Sequence, residues 1–443
     1  MASTPPRPAK VSQRAQDVIR TAGNNLIWDV LKDPWGATTN PNGYVNVGVA
    51  ENPLMHETLL EHLNRSVELP AKYLTYNDGG SGSVRLRRAM AGFLNRNFHP
   101  AVPVQDDQLI VTNGVSPAIE HISWTFTDPG EGILLGRPFY GTFVPDLSLR
   151  FGACVVQVAF DDCDPFSLGA VDKYEQALLQ FQRETGRKVK ALMLCHPHNP
   201  LGRCYPRPVL VALMKLCQKY GVHFVSDEIY ALSVWENTVD ELPAPVAFES
   251  ALSIDLAGII DPTLVHVLWG LSKDFGANGL RMGVIISQCN RDVHTALGAI
   301  SLYSYTSGTA DHLAARLLED VEFTDKYIVA NQAKLAQMYA YAARRLQDLG
   351  IEYAPGCNAA FFLWVNLGKR FVELHPEEAG GAVGDRVMQR LVQAKVFLAS
   401  GALFGSERDG WFRIVFTHPI EYLELAFKRI DAALKKRDGT ITC

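Results

Sequence analysis

Apolar residues fall in two rhythms along this 443-residue chain, and the rhythm changes once. From about residue 52 to residue 310, short apolar runs alternate with segments of helical spacing. The runs at 109–111, 133–135, 154–156, 191–194, 223–225, 264–269 and 284–286 read as buried strands, covered on both faces. Segments between them, such as 207–220, repeat apolar positions every three or four residues. This alternation predicts an α/β unit built around a mainly parallel sheet with flanking helices.

After about residue 321 the texture differs. Residues 325–349 predict one long amphipathic helix, closed by Gly350 as its C-cap. Runs at 359–365 and 412–416 read as strands, and 420–436 as a closing helix. A smaller α+β unit follows from this pattern. The expected division is an arm at 1–51 that contributes to the small unit, a large unit at 52–320 and the small unit at 321–443. Within the arm, residues 1–25 read as polar with a short helix, and 38–43 as a loop. No internal repeat or low-complexity segment is visible.

Composition narrows the function classes. The 42 basic and 47 acidic residues leave a net charge of −5, which argues against nucleic acid as the partner. Arg85, Arg87 and Arg88 are the one dense basic cluster, and they open a predicted helix as a solvated face. Eight scattered cysteines without a CxxC pair fit reduced thiols better than disulfides or a zinc site, so no metal is expected. The first ten residues are proline-rich and polar, unlike a signal peptide. No run reaches the ~18 apolar residues of a membrane span, and Cys443, being last, forms no prenylation box. The expectation is a soluble, cytoplasmic protein with no membrane partner.

The candidate chemistry sits at strand ends, where α/β sheets bind ligands. After the strand at 264–269 comes Gly270-Leu271-Ser272-Lys273-Asp274-Phe275-Gly276, with Arg281 eight residues beyond the lysine. A lysine desolvated in a tight loop is the nucleophile a Schiff base needs, and an arginine suits a phosphate. One amine for a carbonyl and one guanidinium for a phosphate describe a pocket for pyridoxal 5'-phosphate (PLP). The other strand ends supply its remaining polar contacts. Gly114, Val115 and Ser116 open a helix whose free N–H groups suit the phosphate. Tyr140 offers a flat ring, Asn199 an amide for the phenolate oxygen and Asp227 a carboxylate for the ring nitrogen. Tyr230 can share the phenolate with Asn199.

Carrying these residues, the chain resembles the fold-type I, class I/II aminotransferase superfamily over roughly residues 25–435. Within it, the resemblance is to the branch like 1-aminocyclopropane-1-carboxylate (ACC) synthase. Gly270 to Gly283 resembles the family's lysine loop, and His196 to Gly202 its Asn-Pro-x-Asn-Pro-x-Gly turn. Gly48-Val49-Ala50-Glu51-Asn52 and Gly410-Trp411-Phe412-Arg413 resemble two phrases of ACC synthases. The resemblance implies the PLP-dependent transferase fold and an amino-acid substrate. It implies Lys273 as the Schiff-base lysine and acid/base, with Asp227, Asn199, Tyr230 and Tyr140 around the ring. Gly114, Val115, Ser116, Ser272 and Arg281 would hold the phosphate. Arg413 would grip the substrate carboxylate, and Glu51 would lie near the substrate.

It also implies a homodimer whose active sites are shared. Here the chain departs from the pattern: residues 77–82 replace the Asp-Tyr-His-Gly of plant ACC synthases, so the tyrosine that reaches across the dimer is missing. Tyr76 or Tyr73 are the candidates to replace it. Gly270 stands where the family has a phosphate-binding serine, and 141–146 also differ from the plant enzymes.

Two further classes fit less of the chain. Gly79-Gly80-Ser81-Gly82 lacks the spacing of a nucleotide-binding loop. A non-catalytic PLP-fold binding protein would have no need of an intact Lys273. Among reactions, the Glu51 phrase favours a carbon–sulfur lyase, and the alternative is an aminotransferase moving an amino group to a 2-oxo acid.

Overall fold

The computed structural model describes residues 11–21, 26–65, 68–241 and 243–436. The signal-peptide reading of residues 1–10 and the reading of Cys443 lie outside these. The helix expected in the arm is Gln13–Thr21, followed by another at Leu26–Lys32. Then comes β1 (Val45–Asn46).

The central sheet has seven strands: β2 (Leu109–Thr112), β3 (Gly132–Gly136), β4 (Cys154–Val158), β5 (Val189–Cys195), β6 (His223–Asp227), β7 (Val265–Gly270) and β8 (Gly283–Ile286). Their spatial order is β2-β8-β7-β6-β5-β3-β4. β8 alone runs antiparallel to its neighbours β2 and β7, so the sheet is mainly parallel. Alternate residues face opposite sides. Ile110, Ile133, Leu135, Met193, Val225 and Leu268 enter one core, and Val111, Leu134, Leu192, Phe224, Val267 and Trp269 the other. Burying each such side chain stabilises by roughly 1.5–3 kcal/mol. The run at 154–156 departs from expectation: β4 is the sheet edge, and Cys154 is exposed. Cys154 and Gln157 are exposed and Val155 and Val156 half-buried, whereas β2 at the opposite edge is buried throughout, so cover by neighbouring elements decides the difference.

The helix Val321–Asp348 begins four residues earlier than its apolar period suggests, because the Asp320 side chain accepts from the Phe323 N–H and caps it. Its C-cap is Leu349 rather than the expected Gly350, which follows it at φ +65°. A second sheet joins β9 (Glu352–Tyr353), β10 (Phe362–Asn366), β12 (Ala399–Ser400) and β13 (Trp411–Val415), and β11 (Val396–Phe397) pairs in parallel with β1. The strand expected from 359 starts only at Phe362, since Ala360 sits at φ +59° and cannot extend the ladder. The core on the first face of the central sheet is continuous with that of the second sheet. Among the described residues, no helix is long and apolar enough to cross a membrane.

Candidate active site

Arg85, Arg87 and Arg88 are spent internally. Arg85 pairs with Glu319, Arg88 with Asp106, and Arg87 donates to the Gly82 and Asp106 carbonyls. The polar cavity lies instead beyond the carboxyl ends of β5 and β6. It has a volume of about 190 Å³. Val115, Ser116, Tyr140, Asn199, Asp227, Tyr230, Ser272, Lys273 and Arg281 all line it, joined by Ile119, Cys195, Ile229 and Asn278.

At one end Gly114, at φ +112°, caps the helix Val115–Phe126. A Cβ on Gly114 would meet Arg281 Nη2 at 2.2 Å, so only glycine lets the guanidinium lie over this helix start. Arg281 itself is in the left-handed region at φ +52°, which turns its side chain back to the Asn278 carbonyl at 2.9 Å. Exposed helix N–H groups, the Ser272 hydroxyl and a guanidinium then share one corner, a donor set for a dianion. Gly270 follows from packing: a Cβ there would meet the Met282 carbonyl oxygen at 2.4 Å.

Asp227 ends β6 beside Cys195 of β5. It is 3% exposed and accepts from the Ile229 N–H at 3.2 Å. Burial pushes its carboxyl up to about 7. A buried carboxylate so placed calls for a cationic donor, and a protonated ring nitrogen meets that need. Tyr230 is fully buried between the edges of Phe361 and Phe362, and burial raises its phenol well above the ordinary range, so it stays a proton donor. Arg413 Nη1 donates to Asn199 Oδ1 at 2.9 Å. Arginine has no acceptor, so the Asn199 NH2 must face the other way, free to donate.

Arg413 is buried against Phe362 and Phe404, and its Nη2 donates to the Gly48 carbonyl at 2.7 Å. Its Nε has no partner, and no carboxylate among the described residues pairs with it. It lies behind Asn199 rather than in the cavity wall. Lys273 lies on a one-turn helix, Leu271–Asp274, rather than in the loop its sequence suggests. Its Nζ donates to the Ala50 carbonyl at 2.6 Å. Burial and then the nearby Arg413 push the amine down to about 8, against the opposing pull of Glu51 and Asp227. Glu51 is exposed, and its Oε1 accepts at 2.8 Å from Nδ2 of Asn278, a residue of the cavity lining.

Tyr73 does not suit the cross-subunit role. It is 4% exposed and packs on His312 of its own chain, whereas Tyr76 is 76% exposed. Sequence reading passed over Asn278 and the Gly48 and Ala50 carbonyls. Asn278 lay inside the quoted lysine loop and could have been weighed, but backbone carbonyls leave no residue signal. Among the described residues one cluster of metal-ligating types, His375, Glu377 and Glu378, stands away from this cavity, and Arg390 holds Glu378 at 2.6 Å.

A seven-stranded, mainly parallel sheet with a half-buried lysine, a buried aspartate and a glycine-dependent anion corner defines a PLP-enzyme architecture. Residues 46–430 match the model of the aminotransferase class I and II family, and the chain belongs to that family. ACC synthase-like protein 1 of Takifugu rubripes is 32% identical, over 99% of this chain and 70% of its own length. Probable aminotransferase gliI of Aspergillus fumigatus is 33% identical, over 87% of this chain and 88% of its own. The chain therefore sits in the ACC synthase-like branch. A solved aspartate aminotransferase of Thermus thermophilus, a mutant complexed with tryptophan, superposes with a TM-score of 0.72. At 21% identity over 96% of this chain and all of that one, it shows the same fold. The protein is a PLP-dependent enzyme, and the donor set above fits that cofactor.

Proposed function

We propose that this enzyme is a carbon–sulfur lyase acting on an amino acid, or an amino-acid-like conjugate, that carries sulfur at Cβ or Cγ. The observation that carries the reading is Glu51, an exposed carboxylate held by Asn278 of the cavity lining and close enough to Lys273 to influence its charge. When bound, PLP supplies the sink for the electron pair released at Cα. In this reading Asp227 keeps the ring nitrogen protonated, and Asn199 and Tyr230 donate to the phenolate. Tyr140 faces the ring, while Gly114, Val115, Ser116, Ser272 and Arg281 hold the phosphate. In this reading residues 52–320 would be the cofactor-binding unit, and the described parts of 1–51 and 321–443 the smaller unit beside it.

Arg413, set behind Asn199, would orient the substrate carboxylate through the N–H groups that its bonds to Asn199 and the Gly48 carbonyl leave over. This directs the Cα–H bond toward Lys273, which removes the proton as a neutral amine. With sulfur on Cβ, the Cα–Cβ double bond forms as the carbon–sulfur bond breaks and its electron pair leaves on sulfur. With sulfur on Cγ, a Cβ proton must also be removed before that bond breaks. Hydrolysis of the unsaturated remainder yields a keto acid and ammonia. Glu51 acts on the side of the departing group.

Incubating the holoenzyme with S-substituted cysteines and homocysteines tests this. Thiol, ammonia and keto acid are expected in equal amounts without any added 2-oxo acid. Glu51→Gln is expected to slow thiol release ~10–100-fold while solvent exchange of the α-proton continues. The second reading, an aminotransferase, draws support from the printed names of fungal relatives such as gliI. It requires amino-group transfer to a 2-oxo acid at the main catalytic rate with no thiol released, an outcome that would reject the lyase.

The enzyme is further proposed to work as a homodimer with shared sites, Tyr76 being, of Tyr73 and Tyr76, the one exposed enough to reach a partner. Sedimentation at assay concentration is expected to give twice the 48.9 kDa chain mass, and an active monomer would refute this.

A further inference from the structure

The segment carrying Glu51 is held by its own backbone. The Gly48 carbonyl accepts from Arg413, the Ala50 carbonyl from Lys273, and the Glu51 carbonyl from Thr417 Oγ1 at 2.5 Å. On its other side it touches the lysine loop so closely that a Cβ on Gly276 would meet the Asn52 carbonyl oxygen at 2.2 Å. With its backbone fixed, Glu51 can still swing its exposed side chain about three torsions. One contact stops it: Asn278 Nδ2 donates to Oε1 at 2.8 Å. An ionised carboxylate only accepts, so the Asn278 amide must present its NH2 to Glu51. Asn278 is anchored in turn. It opens the short 3₁₀ turn Asn278–Leu280, and its own carbonyl accepts from Arg281 Nη1 at 2.9 Å. A single half-buried residue therefore spans from the anion corner to the substrate side of the cavity it lines.

We propose that Asn278 is a positioning residue that sets the direction of the Glu51 carboxylate toward the departing group. The proposal rests on the role given to Glu51 above. Its chemistry is narrow: Asn278 moves no proton and touches no reacting atom, and it acts by denying Glu51 its other rotamers. The anchor on Arg281 makes that direction depend on the residue that faces the cofactor phosphate.

The test is a double-mutant cycle on the holoenzyme with Asn278→Ala, Glu51→Gln and the pair, reading thiol release and α-proton exchange separately. The expected result is a ~10–100-fold fall in kcat for thiol release in either single variant, with KM changed less than threefold. The double variant should be no slower than the slower single, and α-proton exchange should persist in all three. PLP absorbance checks that each variant retains its cofactor. If Asn278→Ala does not, the isosteric Asn278→Asp takes its place, and its carboxylate should repel Glu51 and produce the same loss.

Wild-type thiol release in the Asn278 variant, with Glu51→Gln slow, overturns this proposal and leaves the role of Glu51 standing. Losses that multiply in the double variant, or a fall in α-proton exchange, also overturn it, because Asn278 would then act through Arg281 or Lys273. If the wild-type enzyme releases no thiol, the lyase reading fails, and the same cycle is read on amino-group transfer. A Glu51→Gln variant without effect on either reaction overturns both roles.

Discussion

Lys273→Ala is expected to abolish turnover, by ~10⁴-fold or more, because one amine serves as covalent anchor and as acid/base. Borohydride reduction of the wild-type enzyme should fix a pyridoxyl group on the tryptic peptide containing Lys273. A label found elsewhere, or a variant that still turns over, would move the active centre. The structure adds a pH signature. Burial and then the field of Arg413 hold the Lys273 amine down to about 8 against an ordinary 10.5. Only the neutral amine attacks a carbonyl, so covalent capture of PLP by cofactor-free protein should accelerate as pH rises through about 8. A midpoint near 10 would mean that the amine is solvated.

Asp227→Asn should retain PLP on its other contacts yet lose ~10³-fold in kcat, because a ring nitrogen without its carboxylate is a poor electron sink. The same substitution should stabilise the cofactor-free protein at pH 8. Burial raises the Asp227 carboxyl from 3.8 to about 7 in the folded state. The folded chain therefore binds the proton more tightly than the unfolded one. Stability falls as pH climbs from about 4 to about 7, and the full cost, on the order of 4 kcal/mol, applies above that. Asparagine escapes it. Denaturant melts of the cofactor-free proteins at pH 5 and pH 8 check this: the variant's advantage should grow with pH. Equal stability at both, with near-normal turnover, would reduce Asp227 to a local turn-former for the Ile229 N–H.

The apolar pattern determined much of the frame. The helix predicted at 207–220 is Arg207–Tyr220 to the residue, and all seven sheet strands lie where the runs fell. Both follow from local periodicity, which needs no knowledge of distant contacts. It was least informative where neighbours decide exposure, as at β4, whose cover by neighbouring elements no local run can reveal. The same limit applies to Ala360, whose left-handed backbone delays β10.

For the cavity, the sequence marked the side chains that carry polar chemistry, since lysine, aspartate, tyrosine and arginine at strand ends are visible as letters. Tertiary structure decided what each one faces. It set Arg413 behind Asn199, which fixes the amide's orientation, and buried Tyr73 while leaving Tyr76 exposed. It gave the carbonyls of Gly48 and Ala50 to Arg413 and Lys273 across more than 200 residues, and joined Glu51 to Asn278. A backbone carbonyl is the same group at every position, so its partner is chosen by where the chain passes in space. Residue type sets which chemistry is on offer, and only the packed fold sets which groups are close enough to use it.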